Sequence, residues 1–303
     1  MTRASHARRP GALRSGCVER LLHRLPPSLL FVIGALSMYE GAAIAYDLFD
    51  DVRPQGVAWL RICGAAIVMV GVARPWRQPW SRAELGAAAG FGVVTAAMNA
   101  AFYLAAARVH LGSTVAIEFI GPITVAAVSV RTGRALAALL AAAAGVACLS
   151  VGLRADALGV VWALAAGTCW AGYVVLGARV SAQRGGVAGL AVALACGAVA
   201  LAPIAAPTTA AAFSDVGILV LCLAVGVLST AVPYGIDQHV LRRVPRARFA
   251  LLLALLPITA TVVGRIDLQQ SPRLFEFVGI ALVMLGLTLQ GPTELSDEEA
   301  RGA

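Results

Sequence analysis

Ten long apolar segments follow one another from Ser28 to Gln290, and short loops that carry most of the arginines separate them. A helix needs about 20 apolar residues to cross the hydrocarbon core of a bilayer. The pattern therefore predicts an all-α integral membrane protein with ten transmembrane helices. The predicted spans are 28–46, 57–73, 85–107, 113–130, 135–153, 158–178, 187–206, 216–236, 247–264 and 274–290.

The composition leaves little chain for a soluble domain, since 59% of the residues are hydrophobic and only 13% are charged. The net charge of +8 does not indicate a nucleic-acid partner, because the basic residues lie in loops between apolar spans without interleaved aromatic residues. The chain lacks the sequence motifs of ATP sites, zinc proteases and serine hydrolases. No cofactor, no metal and no enzymatic activity are therefore expected, and the lipid bilayer is the expected surrounding.

The arginines are distributed unequally between the two sides of the predicted bundle. All 24 basic residues are arginine. With the N-terminus in the cytoplasm, eighteen of them fall on the cytoplasmic side, five on the far side and Arg61 within a span. Because an excess of basic residues marks the cytoplasmic side, both termini are predicted to be cytoplasmic. The end segments are then a disordered basic N-terminus at 1–27 and an acidic tail at 291–303.

A weak internal repeat relates the two halves of the chain. Segments 108–124 and 243–259 share Arg-Val and Pro-Ile-Thr at the same spacing. Five spans per unit is an odd number, so the second unit enters the membrane from the opposite side, as in many secondary transporters. The pattern predicts two inverted five-helix repeats at 28–153 and 158–290. Chance similarity between helices rich in Ala and Leu is the alternative.

Seven short segments together resemble the EamA-like branch of the drug/metabolite transporter superfamily, and within it the bacterial threonine/homoserine exporters. They are G-V-A-W-L-R at 56–61, R-P-W-R at 74–77, N-A-A-F-Y-L at 99–104, A-I-E-F-I-G-P-I at 116–123, C-W-A-G-Y at 169–173, L-S-T-A-V-P-Y at 228–234 and R-V-P at 243–245.

The resemblance implies ten helices in two inverted repeats, with a substrate path between the halves. It also implies proton-driven export of small amphipathic molecules such as threonine and homoserine across the bacterial inner membrane. The expected partners are a small-molecule substrate and protons, and the oligomeric state stays open. The alternatives are a multidrug or other metabolite exporter and, less favoured, an integral-membrane enzyme.

The chain departs from that branch at three places. Leu256 stands where those exporters commonly carry Glu, just before the proline of the ninth helix. Gln269 and Gln270 are the nearest residues to a usual Gly-Glu pair, and Glu40 in the first span is an addition. The substrate is therefore less firmly predicted than the transporter class.

Glu118 is the first candidate for a functional residue. A charge inside a span costs several kcal/mol unless it is paired or hydrated, so it marks a candidate site. Thr114, Glu118 and Pro122 lie on one helix face, and Pro122 leaves the Glu118 carbonyl without its usual helical donor. The carboxyl is expected to exchange a proton or to bind a substrate ammonium. The alternative is a carboxyl that only holds two helices together.

Three further charged residues fall in or near the spans. Glu40 is expected either at the transport site or in an ion pair with Arg61. Arg61 is either a structural partner or an anchor for the substrate carboxylate. Asp237 is either an inner proton site or a partner of Arg242 or Arg243.

Five polar or aromatic residues predict a pocket for a small zwitterion. Apolar pockets with a few directed polar groups bind such molecules. Helix packing and an interfacial aromatic belt are the alternatives. The residues are Asn99, Tyr103, Trp170, Tyr173 and Tyr234.

Overall fold

A computed structural model describes residues 25–129, 132–152, 156–182, 186–234, 236, 252–253 and 255–289. In those ranges the protein is helical and has no strand. The helices are α1 Pro27–Asp47, α2 Pro54–Ala73, α3 Arg82–Ala106, α4 Leu111–Glu118, α5 Ile120–Ser129, α6 Gly133–Gly152, α7 Ala157–Ala182, α8 Gly186–Ala205, α9 Ala210–Ser214, α10 Val216–Gly226, α11 Leu255–Ile266 and α12 Leu274–Leu289. A π-helical turn at Val227–Ala231 continues α10.

Membrane-spanning helices are present, as the apolar pattern predicts. Within the described part, six helices are long and apolar enough to cross a bilayer: Pro27–Asp47, Pro54–Arg77, Arg82–Ala106, Ala157–Gly177, Val187–Thr208 and Val216–Tyr234. Four shorter apolar helices accompany them, at Leu111–Val125, Gly133–Leu149, Leu255–Ile266 and Leu274–Leu289. The all-helical membrane class is therefore confirmed, whereas ten spans in an inverted repeat stay a prediction.

Local sequence signals explain where several helices begin. α1 and α2 begin at Pro27 and Pro54, and proline suits the first helical position because its missing N–H has no partner there. Ser81 starts α3 with a capping box, in which the Glu84 amide donates to the Ser81 hydroxyl and the Ser81 amide donates to the Glu84 carboxylate. The cap places the start of α3 at Arg82, three residues before the predicted span.

The predicted span at 113–130 consists of two helices, because the helix is interrupted at Phe119, between α4 and α5. Pro122 has no N–H, so the carbonyl of Glu118 has no donor four residues ahead. The Ile123 amide resumes the helical pattern by donating to the Phe119 carbonyl at 3.1 Å. The break therefore begins at the residue that the sequence marked, and it places Glu118 at the end of α4.

Glycines allow several helix backbones to approach closely. The sequence pairs small residues four apart at Ser37/Gly41, Gly86/Gly90 and Ala141/Gly145, which predicts helix packing. Gly41 packs on Ser229 and Gly145 on Gly279, but nothing lies within 4 Å of a Cβ added at Gly86 or Gly90. The close contact on α3 is instead at Gly92, where an added Cβ would overlap the carbonyl oxygen of Ala193 on α8.

We expect Gly92→Ala to destabilise the protein by about 1–3 kcal/mol, the usual cost of overpacking a tight contact. The measurement is thermal unfolding in detergent micelles. Gly90→Ala is the matched control on the same helix, and it is expected to be neutral or to stabilise by about 0.5–1 kcal/mol because its Cβ meets no neighbour. Equal unfolding temperatures for the two variants would contradict the close crossing of α3 and α8.

Candidate functional site

Arg61 on α2 is a buried arginine, 7% exposed, and it joins α2 to the π-helical turn after α10. Its Nη2 donates to the Ser229 carbonyl at 3.0 Å, and its Nε donates to the Thr230 hydroxyl at 3.3 Å. Pro233 has no N–H to give to the Ser229 carbonyl four residues earlier, so the carbonyl is left for Arg61. A helix irregularity in the second half of the chain thus positions a cation from the first half.

Glu118, at the end of α4, is a second buried ionisable residue of this region. It is 7% exposed and interacts electrostatically with Arg61, and the buried Tyr39 of α1 interacts with both charges. Yet neither a hydrogen bond nor a salt bridge joins Glu118 to Arg61, although both residues lie in the described part. A buried basic side chain and a buried acidic side chain therefore interact electrostatically without a direct hydrogen bond or salt bridge.

Tyr103 on α3 lies between these groups and an aromatic cluster. The Arg61 guanidinium lies over its ring, 5.3 Å from the centroid, and the rings of Phe49 and Phe102 pack on it at 5.7 and 5.6 Å. The residue is 1% exposed. Its hydroxyl makes no hydrogen bond of 3.5 Å or less, and the side chains of Arg61 and Ser229 lie beside it as longer, weaker partners.

The aromatic residues predicted on α7 contact two different groups. Trp170 packs edge-on against Phe119, with ring centroids 4.7 Å apart, next to Glu118. Tyr173 contacts Phe91 at 4.8 Å and stacks with Tyr234 at 6.4 Å. The structure thus packs Trp170 against Phe119, the residue after Glu118, whereas Tyr173 and Tyr234 stack with each other.

Asn99 is buried at 6% exposure, one turn before Tyr103 on α3. Its Nδ2 donates to the Thr95 carbonyl of the same helix at 2.8 Å. The Thr95 hydroxyl in turn donates to the Phe91 carbonyl at 2.7 Å. One donor of the amide is therefore used within α3.

Glu40 lies apart from the Arg61–Glu118 group. It is exposed on α1, on the same face as the exposed Ile33 and Leu36, and it interacts electrostatically with Asp267. The ion pair between Glu40 and Arg61, one of the predicted alternatives, is not present. Asp237, the predicted inner proton site, lies outside the described residues.

The sequence-based reasoning missed a buried acid at the start of α12. Glu276 is 1% exposed, and its Oε2 accepts hydrogen bonds from the Ser113 hydroxyl and from Nδ1 of His110, both at 2.7 Å. Its Oε1 accepts from the Arg273 amide at 2.9 Å. Because a carboxylate only accepts, His110 must carry a proton on Nδ1. Glu276 also lies inside a predicted span, at its third residue, which is the same kind of signal that marked Glu118.

Glu276 joins the beginning of α4 to the beginning of α12, so we expect it to stabilise the fold. Glu276→Leu removes the acceptor of three hydrogen bonds and leaves His110 and Ser113 without it, at a cost of about 3 kcal/mol. Thermal unfolding in detergent measures the loss. Asp50→Leu, at an exposed acid beyond the end of α1, is the control. An unchanged unfolding temperature for Glu276→Leu would contradict this role.

Comparison with known proteins decides the family. The model of the EamA-like transporter family matches residues 157–290. The threonine/homoserine exporter RhtA of Salmonella typhimurium strain SL1344 is 34% identical over 249 residues, which cover 81% of this chain and 84% of that protein. The chain belongs to the EamA-like transporter family. The resemblance noted in the sequence is thereby confirmed, and the relatives of this EamA-like protein are named as exporters, not as enzymes.

A second relative agrees with this assignment, and a solved structure shares the fold. RhtA of Escherichia coli strain K12 is 31% identical to this EamA-like protein over 278 residues, covering 88% of this chain and 94% of that protein. One solved crystal structure matches with a TM-score of 0.55 and 20% identity, over 90% of this chain and 98% of the other. At that identity the likeness concerns the fold alone.

Proposed function

We propose that this protein is a secondary transporter of the bacterial inner membrane that exports small amino acids, of the threonine and homoserine type, or related metabolites. Proton-coupled alternating access is the proposed mechanism. The observation that carries the proposal is the separated pair of buried charges, Arg61 and Glu118. The names of the RhtA relatives support an amino acid as the substrate.

The two charges match the two ends of a zwitterion. An α-amino acid carries a carboxylate and an ammonium on one carbon, so it needs a cation and an anion that are close but not paired with each other. Arg61 uses Nε and Nη2 to hold the π-helical turn, and its remaining N–H groups suit a carboxylate. Glu118 suits the ammonium, and the rings of Tyr103, Phe119 and Trp170 supply an apolar surround.

Glu118 also supplies a route to proton coupling. A carboxyl that binds the ammonium only when ionised exchanges its proton for substrate, so one site binds the two in turn. Asp237, near the cytoplasmic end of its predicted span, is the second proposed proton site. In this scheme the inward-directed proton gradient drives export, because protonation of Glu118 from outside releases the substrate and the proton then leaves on the cytoplasmic side.

The helix contacts support two repeats related by a two-fold axis. If spans one to five correspond to spans six to ten, each contact between halves should have a mate with the halves exchanged. The contact of α3 with α7 corresponds to the contact of α10 and its π-helical turn with α1. In the same way, the contact of α3 with α8 corresponds to the contact of α10 with α2. Three further contacts join corresponding spans of the two halves, so exchanging the halves leaves each of them unchanged: α2–α8, α4–α11 and α6–α12. The odd number of spans per unit then makes the relation an inverted one.

The proposed orientation has a direct test. With cytoplasmic termini, a reporter that is active only outside the cytoplasm is expected to be silent when fused after Arg301 and active when inserted within 47–53. Alkaline phosphatase activity in whole cells is the measurement. The opposite pattern would overturn the orientation drawn from the arginines.

The decisive experiment for the proposed function is counterflow by the purified protein in liposomes. Labelled threonine and homoserine are expected to exchange, and aromatic amino acids and cationic dyes are expected to exchange weakly. Exchange of dyes in preference to amino acids would favour the multidrug alternative. No exchange of any of these compounds would contradict the proposal.

A further inference from the structure

The hydroxyl of Tyr103 is an unusual group in this bundle. Among the described residues it is the one buried side-chain nitrogen or oxygen atom that has no hydrogen-bond partner. Leaving a hydroxyl buried and unpaired is unfavourable, because the hydrogen bonds that it makes with water in the unfolded chain are not replaced. A buried polar atom without a partner calls for an explanation, and a ligand that pairs with it during the transport cycle provides one.

The surroundings of this hydroxyl place it at the proposed substrate site. The side chains of Arg61 and Ser229 lie beside it, and the Arg61 guanidinium covers the Tyr103 ring at 5.3 Å. Arg61 interacts electrostatically with Glu118. The phenol is therefore a polar group next to Arg61, which is one of the two residues proposed to hold the ends of an amino acid.

We propose that the Tyr103 hydroxyl binds the side-chain hydroxyl of the transported amino acid and so selects hydroxy amino acids over aliphatic ones of the same shape. The inference rests on the proposed function, and it names a specificity-determining residue for it. A phenol both donates and accepts, as does an aliphatic hydroxyl, so the two pair in either direction. The charged ends of the substrate are already matched by Arg61 and Glu118, which leaves the phenol for the side chain.

The size of the selection follows from the same geometry. A site built to hydrogen-bond a substrate hydroxyl rejects an analogue that lacks it, because the polar group of the site then stays buried and unpaired. Threonine and valine have nearly the same shape, and homoserine and norvaline form a second such pair. We expect the protein to favour each hydroxy amino acid about tenfold or more over its aliphatic counterpart.

The test measures counterflow of the four amino acids in liposomes by the wild type and by Tyr103→Phe. The substitution keeps the ring, and with it the contacts to Phe49 and Phe102, so folding is retained. We expect Tyr103→Phe to lower the counterflow rates of threonine and homoserine at least about tenfold. The rates of valine and norvaline are expected to stay the same or to rise. Tyr46→Phe is the matched control, because Tyr46 packs on Phe49 at 5.5 Å but is only half-buried.

Three results would overturn the inference while leaving the proposed function intact. Equal losses with all four substrates would mean that the phenol acts on the shared amino and carboxyl groups. Unchanged rates with all four would mean that the hydroxyl has no part in recognition. Equal transport of threonine and valine by the wild type would show that no such selection exists. If the wild type exchanged none of the four, the inference and the proposed function would both be overturned.

Discussion

Glu118→Gln is expected to abolish uphill export while leaving folding and expression intact. Gln keeps the shape and the hydrogen-bonding capacity of the side chain but cannot ionise, so it neither releases a proton nor pairs with an ammonium. Losing a charge partner at a buried site costs about 2–5 kcal/mol, which corresponds to a fall of at least about 30-fold. Export of labelled threonine from liposomes against its gradient, with an imposed proton gradient, measures the effect.

A second measurement on the same variant separates the two roles of Glu118. Downhill counterflow needs substrate binding but no net proton movement. If Glu118 only carries the proton, counterflow survives in Glu118→Gln, and if it binds the ammonium, counterflow falls as well. Undiminished gradient-driven export would remove Glu118 from the mechanism. Asp237 would then be the next candidate.

Matched substitutions rank the acids. Glu40→Gln makes the same chemical change on a carboxyl that is exposed on α1 and lies apart from Arg61, so a much smaller effect is expected. Asp237→Asn tests the proposed inner proton site. If Glu40→Gln lowered threonine export as much as Glu118→Gln does, the exposed acid of α1 would belong to the transport path.

Arg61→Gln is expected to have the second large effect, a fall in threonine counterflow of at least about 30-fold that appears mainly as a raised KM. The reason is the loss of the cation proposed to bind the substrate carboxylate. Threoninol, which has the ammonium and the hydroxyl of threonine but no carboxylate, separates this role from a structural one. The exchange of threoninol is expected to be weaker than that of threonine, and its rate is expected to differ less than about threefold between the wild type and Arg61→Gln.

Thr230→Val is the control for the structural role of Arg61. It removes the hydroxyl that accepts from Nε at 3.3 Å and leaves both the cation and its bond to the Ser229 carbonyl in place. A neutral hydrogen bond contributes about 0.5–1.5 kcal/mol, so a change of at most about tenfold is expected. Equal losses of threonine and threoninol exchange in Arg61→Gln would show that Arg61 only holds the π-helical turn.

Helix positions and family membership could be predicted from the sequence. Each predicted apolar span contains a described helix, because an uninterrupted apolar run and helical hydrogen bonding are both local properties of the chain. Pro122 pointed to the break after Glu118 for the same local reason. The seven short motifs sufficed for the family, which the comparisons confirm.

The pairing of polar groups could not be predicted, because it depends on helices distant in the chain. Ser229 is 168 residues from Arg61, and Glu276 is 166 from His110. The residue types left Glu40 open either as a transport-site residue or as the partner of Arg61, but α1 turns Glu40 outwards and presents Tyr39 to the interior instead. A rotation of one residue about a helix moves a side chain by about 100°, so small differences in packing decide which groups meet.

The sequence by itself indicated a helical membrane protein, since apolar segments of about 20 residues satisfy their backbone in a bilayer as helices. Its short motifs pointed to the EamA-like family, which the comparisons confirm. Only the tertiary structure decided which polar side chains share a site. Close crossings such as that of Gly92 on α8 constrain the depth and rotation of the helices, and the resulting packing relates Arg61 both to Glu118 and to the Tyr103 ring. Such crossings depend on contacts across the whole bundle, which no local pattern along the chain contains.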